Sequence, residues 1–279
     1  MKRRAYKSDR GIALVTTVWI VLFLALTAAT IVTTTRTDSS ARRNAADLVA
    51  ARELARAGVH TAIHDLSLAV ADRVIPRDGT PVAYRLGDGT VTLQVEDERG
   101  KLDLRIARSN HVQALLMTLG KRQGVDAFDA STLARRITSE LEVTRAGDNR
   151  SSRIHSLSAL ANLPGMPRGL IAELERHATV FGFGAEVNPL YASRETLLAI
   201  DGVAPGVADQ IIAARRDGRP RPAAGTAEQS FTTLEGPVYT IRSTGRLGNG
   251  ISATVTAVVG NEGIGIASRQ ARITVLEFR

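Results

Sequence analysis

The sequence predicts an α+β fold in which a long N-terminal helix packs on a small antiparallel sheet and a large all-α domain is inserted into that sheet. Three observations support this architecture. No proline occurs before Pro76, so the first part of the chain reads as one long helix. Segments with alternating apolar residues follow at 76–107 and return at 231–279. Between them, residues 108–217 show a helical spacing of apolar residues and turns rich in glycine and proline.

The N-terminus combines a basic leader, residues 1–11, with an uncharged run at 12–35 that begins directly after Gly11. As a helix this run covers about 36 Å, which is enough to cross a hydrocarbon core of about 30 Å. A secretory signal has a shorter apolar region of about 7–15 residues and a small-x-small cleavage site, which residues 25–29 fit poorly. A retained membrane-spanning helix at 12–35 is therefore favoured over a cleaved secretory signal.

Charge and composition narrow the function classes. The five basic residues and one acidic residue of the leader account for half of the formal net charge of +8. These basic residues predict a cytoplasmic N-terminus, although Arg36, Arg42 and Arg43 follow on the far side of the run. The rest of the chain has a small net positive charge and few aromatic residues, which does not indicate nucleic-acid binding. The chain has no cysteine, which excludes disulfides and thiolate metal sites.

An amphipathic continuation of the N-terminal helix is predicted over 36–75. Apolar residues recur there in steps of three and four, so they form one stripe that packs against a globular body. The stripe consists of Leu48, Ala51, Ala55, Val59, Ile63, Leu66 and Val70. His60 and His64 lie one helical turn apart, but two histidines without a third ligand favour solvated or packed side chains over a metal site.

The first part of the sheet is predicted at 76–107. Alternating apolar residues at 82–86 and 91–95 flank the turn 87–89 and indicate a hairpin, and a further strand is expected at 102–106. The carboxylates of Glu96, Asp97 and Glu98 lie at the end of the second strand. No basic partner is evident nearby, so we expect a solvated turn and no acid–base chemistry there.

The helical domain at 108–217 contains two similar segments with the spacing of helix-hairpin-helix motifs. Gly165 and Gly169 in the first correspond to Gly202 and Gly206 in the second, and the four glycines mark the predicted hairpin turns. Backbone amides at such turns bind phosphates in DNA-binding proteins. In the second hairpin the carboxylate of Asp201 would repel a phosphate, so a packing role for both hairpins is favoured.

The chain passes through a linker at 218–230 and returns to the sheet at 231–279. Three alternating segments predict three strands, with a hairpin turn at 247–250 between the first two. The sequence has no phosphate-binding loop of the Walker or Rossmann type, no HExxH and no GxSxG. It therefore predicts no catalytic residues and no cofactor.

The leader, Gly11 and the apolar helix that starts immediately after it resemble a type IV prepilin signal. In that family a membrane peptidase cuts after the glycine on the cytoplasmic side, and the apolar helix is retained. The resemblance implies cleavage between Gly11 and Ile12 and N-methylation of Ile12. It also explains why the apolar run begins directly after the glycine.

Further features resemble general secretion pathway protein K, the large minor pseudopilin of type II secretion systems. Thr16 stands where major pilins carry a glutamate, five residues into the mature chain. The segment RGIALVTTVWIVLFLALTAA resembles the K-type N-terminus, and DERGKLDL at 97–104 resembles the K-type junction before an inserted helical domain. The segment VNPLYASRETLLAIDGVAPGVADQIIAARR at 187–216 resembles the K-type helical hairpin.

The resemblance implies a pilin-like fold and non-enzymatic work. Such proteins form a tip complex with the I- and J-type minor pseudopilins, and this complex starts assembly of the pseudopilus, whose shaft is the major pseudopilin. The implied location is the inner membrane, with a single pass, a cytoplasmic N-terminus and a periplasmic C-terminal domain, and then the pseudopilus tip. Prepilin peptidase and the inner membrane are the other implied partners, and we expect no nucleic acid.

One feature departs from this family. K-type proteins commonly carry an aspartate-rich calcium loop in the helical domain, where this chain offers only Glu140, Glu142 and Asp148 among several arginines. Calcium takes six to eight oxygen ligands, so we expect no tight calcium site. Two other functions stay open: a membrane-anchored DNA-binding protein that uses the hairpins, and a minor pilin of a related type IV pilus. A membrane-bound enzyme has no motif in its favour.

Overall fold

The computed structural model describes residues 10–142, 156–181, 184–216, 229–261 and 273–278. The leader before Arg10 and most of the predicted linker at 218–230 lie outside the described residues. So does Asp148, which belongs to the region where no calcium site is expected. Parts of the predicted helical domain, at 143–155 and 182–183, and of the second part of the sheet, at 262–272, also lie outside them.

The N-terminal helix, α1, runs without interruption from Arg10 to Ser67. It ends earlier than the predicted boundary at 75 because Asp65 turns the chain back. The Asp65 carboxylate accepts from the backbone N–H of Val74 at 2.9 Å and from that of Ile75 at 3.4 Å. These bonds satisfy the amides of the returning chain, and a single 3-10 turn at Val70–Asp72 fills the space between.

The buried stripe of α1 follows the predicted spacing with one difference. Ala51, Ala55, Val59 and Leu66 are buried as expected, whereas Leu48 is 43% exposed. Leu48 lies just before the part of α1 that the sheet covers. The stripe therefore begins one turn later than its sequence pattern indicates.

The side chains of α1 from Leu14 to Leu26 are exposed. Among the described residues, none of the helices has an apolar stretch of the length needed to cross a bilayer. The membrane-spanning segment at 12–35 stays a prediction.

Among the described residues, five strands form one antiparallel sheet and two short strands pair separately. The strands are β1 (Val82–Leu86), β2 (Gly89–Asp97), β3 (Leu102–Asp103), β4 (Ala178–Thr179), β5 (Val238–Arg246), β6 (Ser252–Asn261) and β7 (Ile273–Phe278). The large sheet has the order β1-β2-β5-β6-β7, so the two halves of the predicted sheet meet where β2 pairs with β5. The inserted domain thus leaves and re-enters through neighbouring strands.

Both predicted hairpins are confirmed. β1 and β2 close with Leu86 opposite Gly89, and Gly87 has a φ of 57°. In the turn at 247–250, Gly250 has a φ of 89°, which suits glycine because it has no Cβ. The strand expected at 102–106 is only partly correct. β3 stops at Asp103, where a turn begins, and it pairs in parallel with β4 of the helical domain instead of joining the large sheet.

The second half of α1 lies close against one face of the sheet. A Cβ on Gly58 would collide with Ser243 and lie 2.6 Å from Val91 Cγ1. A Cβ on Gly245 of β5 would lie 2.6 Å from the backbone nitrogen of Ala55. The missing side chains let the helix and sheet close over a core that includes Val59, Leu93 and Tyr239.

The helical domain has its own core. It is built from α2 (Ser109–Gly120), α3 (Ala127–Glu142), α4 (Arg168–His177), α5 (Arg194–Leu198) and α6 (Pro205–Arg216). Buried leucines such as Leu115, Leu160 and Leu170 fill it, and Leu102 and Leu104 join it directly after the sheet ends. Val95 still belongs to the sheet core. The two cores are therefore separated along the chain by a few residues around 97–101.

We expect Gly58→Ala to lower the free energy of unfolding by about 1–3 kcal/mol, because the added methyl group overpacks the contact between α1 and the sheet. Gly206→Ala is the matched control. Gly206 also lies in a helix, and a Cβ there meets nothing within 4 Å. This control should be neutral or gain up to about 1 kcal/mol. Thermal unfolding followed by circular dichroism measures both, and equal effects of the two variants would contradict the close approach.

Candidate functional site

Two regions are candidates for function: the N-terminal part of α1 and the junction between sheet and helical domain. Gly11 and Ile12, the predicted cleavage and methylation site, lie in the first turn of α1, and Thr16 lies exposed one turn later. The hydroxyl of Thr17 donates to the Leu14 carbonyl at 2.8 Å, and that of Thr27 donates to the Phe23 carbonyl at 3.0 Å. These hydroxyls are satisfied within the helix, which suits an apolar surrounding.

The junction is formed by residues 97–101 together with Tyr191, Glu235 and Gly236. Asp97, the last residue of β2, is 2% exposed. Its carboxylate accepts from the backbone N–H of Arg99 at 2.8 Å and from that of Gly236 at 2.9 Å. Asp97 therefore caps the 3-10 turn Glu98–Gly100 and holds the chain that enters β5.

Glu98 and Lys101 form a buried ion pair within the junction. Lys101 Nζ lies 2.7 Å from Glu98 Oε1 and 3.0 Å from Glu96 Oε2. It also donates to the Glu175 carbonyl of α4 at 3.1 Å, while the Thr240 hydroxyl of β5 donates to Glu98 at 2.6 Å. The ammonium group thus joins the sheet to the helical domain.

The expected solvated turn at Glu96, Asp97 and Glu98 is wrong, since Glu98 is only 3% exposed. Lys101 is the missing basic partner, and the 3-10 turn brings it back beside Glu98. The helical domain then covers the turn and excludes water. The local sequence shows the carboxylates, but it does not show that distant segments of the chain cover them.

The Glu235 carboxylate interacts with four donor side chains from three parts of the chain. Arg73 Nη1 lies 2.9 Å and Arg77 Nη2 lies 2.8 Å from its carboxylate oxygens. The hydroxyls of Tyr191 and Tyr239 donate to it at 3.4 Å. Glu235 thereby ties the segment after α1 to the helical domain and to β5. No signal in the sequence singled it out.

Two glycines allow the junction to close. A Cβ on Gly100 would lie 2.7 Å from the Tyr191 Cβ, and a Cβ on Gly236 would collide with the Asp97 carboxylate. Asn188 N–H donates to the Arg99 carbonyl at 2.7 Å beside this contact. The segments 97–101 and 188–191, which both carry the K-type resemblance, are therefore in direct contact.

Burial raises the pKa of Asp97 to about 6, against the two backbone N–H groups that lower it, and the nearby carboxylates of Glu235 and Glu98 raise it further. Burial alone would lower the pKa of Lys101. The carboxylates of Glu98 and Glu96 outweigh that effect and raise it, so the lysine stays charged. The junction thus combines a buried ion pair, Glu98 and Lys101, with a buried carboxylate, Asp97, that is held by backbone N–H groups.

The predicted hairpin glycines occupy two different positions. Gly165 and Gly202 both have a φ of 83° and form the turns, whereas Gly169 and Gly206 are each the second residue of a helix, α4 and α6. Side chains from neighbouring helices contact both turns. Arg136 donates to the Pro164 carbonyl, and Asn110 donates to the Asp201 carboxylate. These contacts fix the packing of the helical domain.

Among the described residues, no group of three or more histidine, aspartate or glutamate side chains is placed to hold a metal ion. His60 and His64 are both exposed on α1. The contacts of the junction connect the sheet to the helical domain.

We expect the stability contribution of Asp97 to fall as the pH rises from about 4 to about 6. The folded state holds the Asp97 proton more tightly than the unfolded state does. The stabilisation that this proton contributes is therefore complete below the pKa of Asp97 in the unfolded chain and lost above its pKa in the folded protein. The difference in unfolding free energy between the wild type and Asp97→Asn should change by up to about 3 kcal/mol over that window. Asp88→Asn, an exposed turn carboxylate, is the control and should show no such change.

Lys101→Met should lower the free energy of unfolding by about 3–5 kcal/mol, because it leaves the Glu98 carboxylate buried without its partner. Lys121→Met, at an exposed lysine, should stay within about 0.5 kcal/mol of the wild type. The double variant Glu98→Gln/Lys101→Met should recover part of the loss. Urea unfolding measures all three, and a harmless Lys101→Met would show that the pair is not desolvated.

The comparisons with known proteins bear on the fold. The chain matches no family model and no curated protein. Among solved structures it is similar to a chain of the crystal structure of the GspK–GspI–GspJ complex from the enterotoxigenic Escherichia coli type 2 secretion system. The two are 16% identical, the match covers 88% of this chain and 98% of that chain, and the TM-score is 0.52. The chain therefore shares that fold, and the predicted pilin-like α+β architecture is confirmed.

Proposed function

We propose that the chain is a minor pseudopilin of a type II secretion system that forms the pseudopilus tip complex and initiates pseudopilus assembly for export of folded proteins across the outer membrane. The fold match carries the proposal. It covers 88% of this chain, so it must include most of the helical domain, which takes up more than a third of the chain. In this proposal the protein works by assembly and has no enzymatic activity.

The position of the helical domain supports a role at a filament end. The turn at 247–250 faces the N-terminal side of the packed half of α1, where Asn249 donates to Asp47 at 2.8 Å. The junction lies at the opposite end of the sheet, near Asp65 and Ile75, where α1 ends. The helical domain is therefore attached at the sheet end that is remote from the apolar run. A bulky domain there fits a terminal subunit better than one packed inside a filament shaft.

The partners we propose are the I- and J-type minor pseudopilins and the major pseudopilin. The solved complex with the same fold contains GspI and GspJ beside GspK. Thr16 supports a terminal place in the assembly. In pilin-like filaments a glutamate at this position is thought to neutralise the terminal amine of the subunit ahead. A subunit at the tip has none ahead, and an uncharged threonine avoids burying a carboxylate without a partner.

The N-terminal segment supports a prepilin-type origin and an inner-membrane location. Exposed apolar side chains such as Leu14, Trp19 and Phe23 leave a helix surface that needs lipid or neighbouring helices to cover it. We propose that prepilin peptidase cuts after Gly11 and that Ile12 is then N-methylated. The basic leader would keep this end in the cytoplasm, with the C-terminal domain in the periplasm.

The test is mass spectrometry of the membrane-extracted chain after co-expression with a prepilin peptidase. We expect a product that begins at Ile12 and carries one methyl group. Gly11→Leu should abolish cleavage, because its side chain would occupy space that the glycine leaves open at the cleavage site. The control Gly206→Ala should be processed like the wild type. An intact leader in the wild type would refute the prepilin assignment.

A second measurement addresses the tip complex separately. The processed chain, co-expressed with I- and J-type minor pseudopilins, should elute with both as one complex in size-exclusion chromatography. Processing without complex formation would retain the pilin-like assignment and reject the role in a tip complex.

A further inference from the structure

The sheet has an exposed face on the side opposite α1, which we call the arginine face. It consists of the outward residues Ala83, Arg85, Thr90, Thr92, Gln94, Arg242, Thr244, Arg246, Ser252, Thr254 and Thr256. The strand register places Arg85 beside Thr90 and Thr90 beside Arg246. Thr244 and Thr254 share a hydrogen bond of 2.8 Å. The face is rich in hydroxyl groups and almost free of apolar side chains.

Three positive charges dominate this face. Arg85, Arg242 and Arg246 are exposed, and in the part of the chain that the structure describes no salt bridge is formed by them. Arg85 and Arg246 lie two strands apart, about 10 Å, and Arg242 is four residues from Arg246, about 13 Å along the strand. Glu96, a carboxylate on the same side of the sheet, is already paired with Lys101. The register of β7 also places Glu277 opposite Val258.

The arginine face continues into a cleft where the helical domain meets the sheet. The cleft has a volume of about 90 Å³, and Thr240, Arg242 and Thr256 line its sheet side. Ser156, Thr179 and Phe181 line the opposite side, and the cleft is also lined by Lys101 and by three glutamates, Glu96, Glu98 and Glu175. Arg242 thus lies where the positively charged surface meets a cleft lined by glutamates.

We propose that the arginine face docks an acidic segment of a partner protein across Arg85, Arg242 and Arg246, outside the cleft that the glutamates line. Guanidinium groups bind carboxylates with paired hydrogen bonds, and the threonine hydroxyls supply further donors between them. Among the described outward positions of β1, β2, β5 and β6, hydroxyl and guanidinium side chains predominate, which favours a partner held by polar contacts. The outward strand positions carry no aromatic side chain on which bases could stack, so a protein segment is favoured over single-stranded nucleic acid.

This inference does not depend on the proposed function, and its test uses the full chain in a nonionic detergent. The probe is a fluorescent peptide of ten glutamates, and its binding is measured by anisotropy at low and moderate salt. We expect the triple variant Arg85→Glu/Arg242→Glu/Arg246→Glu to weaken binding at least tenfold. The control triple Arg52→Glu/Arg135→Glu/Arg168→Glu makes the same change in net charge at exposed arginines elsewhere and should weaken binding less than threefold.

Two results would overturn the proposal. Equal weakening by the two triple variants would mean that net charge alone attracts the peptide. Tighter binding of a ten-nucleotide oligothymidylate than of the peptide, lost in the first triple variant, would assign the face to nucleic acid. Circular dichroism tests whether the variants fold. If the first triple variant does not, the single variant Arg242→Gln should still weaken peptide binding at least threefold, and an unchanged affinity would refute the proposal.

Discussion

The structure depends on the hydrogen bonds and the ion pair that satisfy buried charged groups where the sheet passes into the helical domain. Asp97, Glu98 and Lys101 are almost inaccessible to water. A charge in such a place costs several kcal/mol unless partners replace its hydration. The partners come from β5, from α4 and from the segment that re-enters the sheet. The charges can therefore be buried only when these segments are all in place, which links the docking of the helical domain to completion of the sheet.

This constraint explains how one chain holds two hydrophobic cores in fixed relation. The chain leaves the sheet after β2 and returns in β5, its neighbour, so the insertion needs only a narrow connection. Apolar packing between the cores would be less specific about their relative orientation. Salt bridges and capped turns have directional geometry, and the close contact of Gly100 with Tyr191 leaves no space for an alternative arrangement. Glu235 adds a third connection to the end of α1.

The sequence predicted elements that local periodicity or turn chemistry determines. The long helix, both hairpins and the helical content of the insertion follow from apolar spacing and from glycines such as Gly87 and Gly250. The prediction failed where distant segments decide the outcome. Glu98 is read as solvated because Glu175 and Thr240, which help to bury it, are far away in the chain. The end of α1 depends on Asp65, whose carboxylate binds amides of the returning chain. No residue typical of helix ends marks this position in the sequence.

The packing of α1 on the sheet connects the two ends of the molecule. α1 carries exposed apolar side chains at its start and packs tightly on the sheet only after Ala51, where Gly58 and Gly245 allow close contact. The charged junction lies at the other end of that contact. A pull on the apolar end is therefore transmitted through close-packed helix and sheet to the polar network around Glu235. Close-packed interiors are only weakly compressible, so the helical domain must move with α1 as one body.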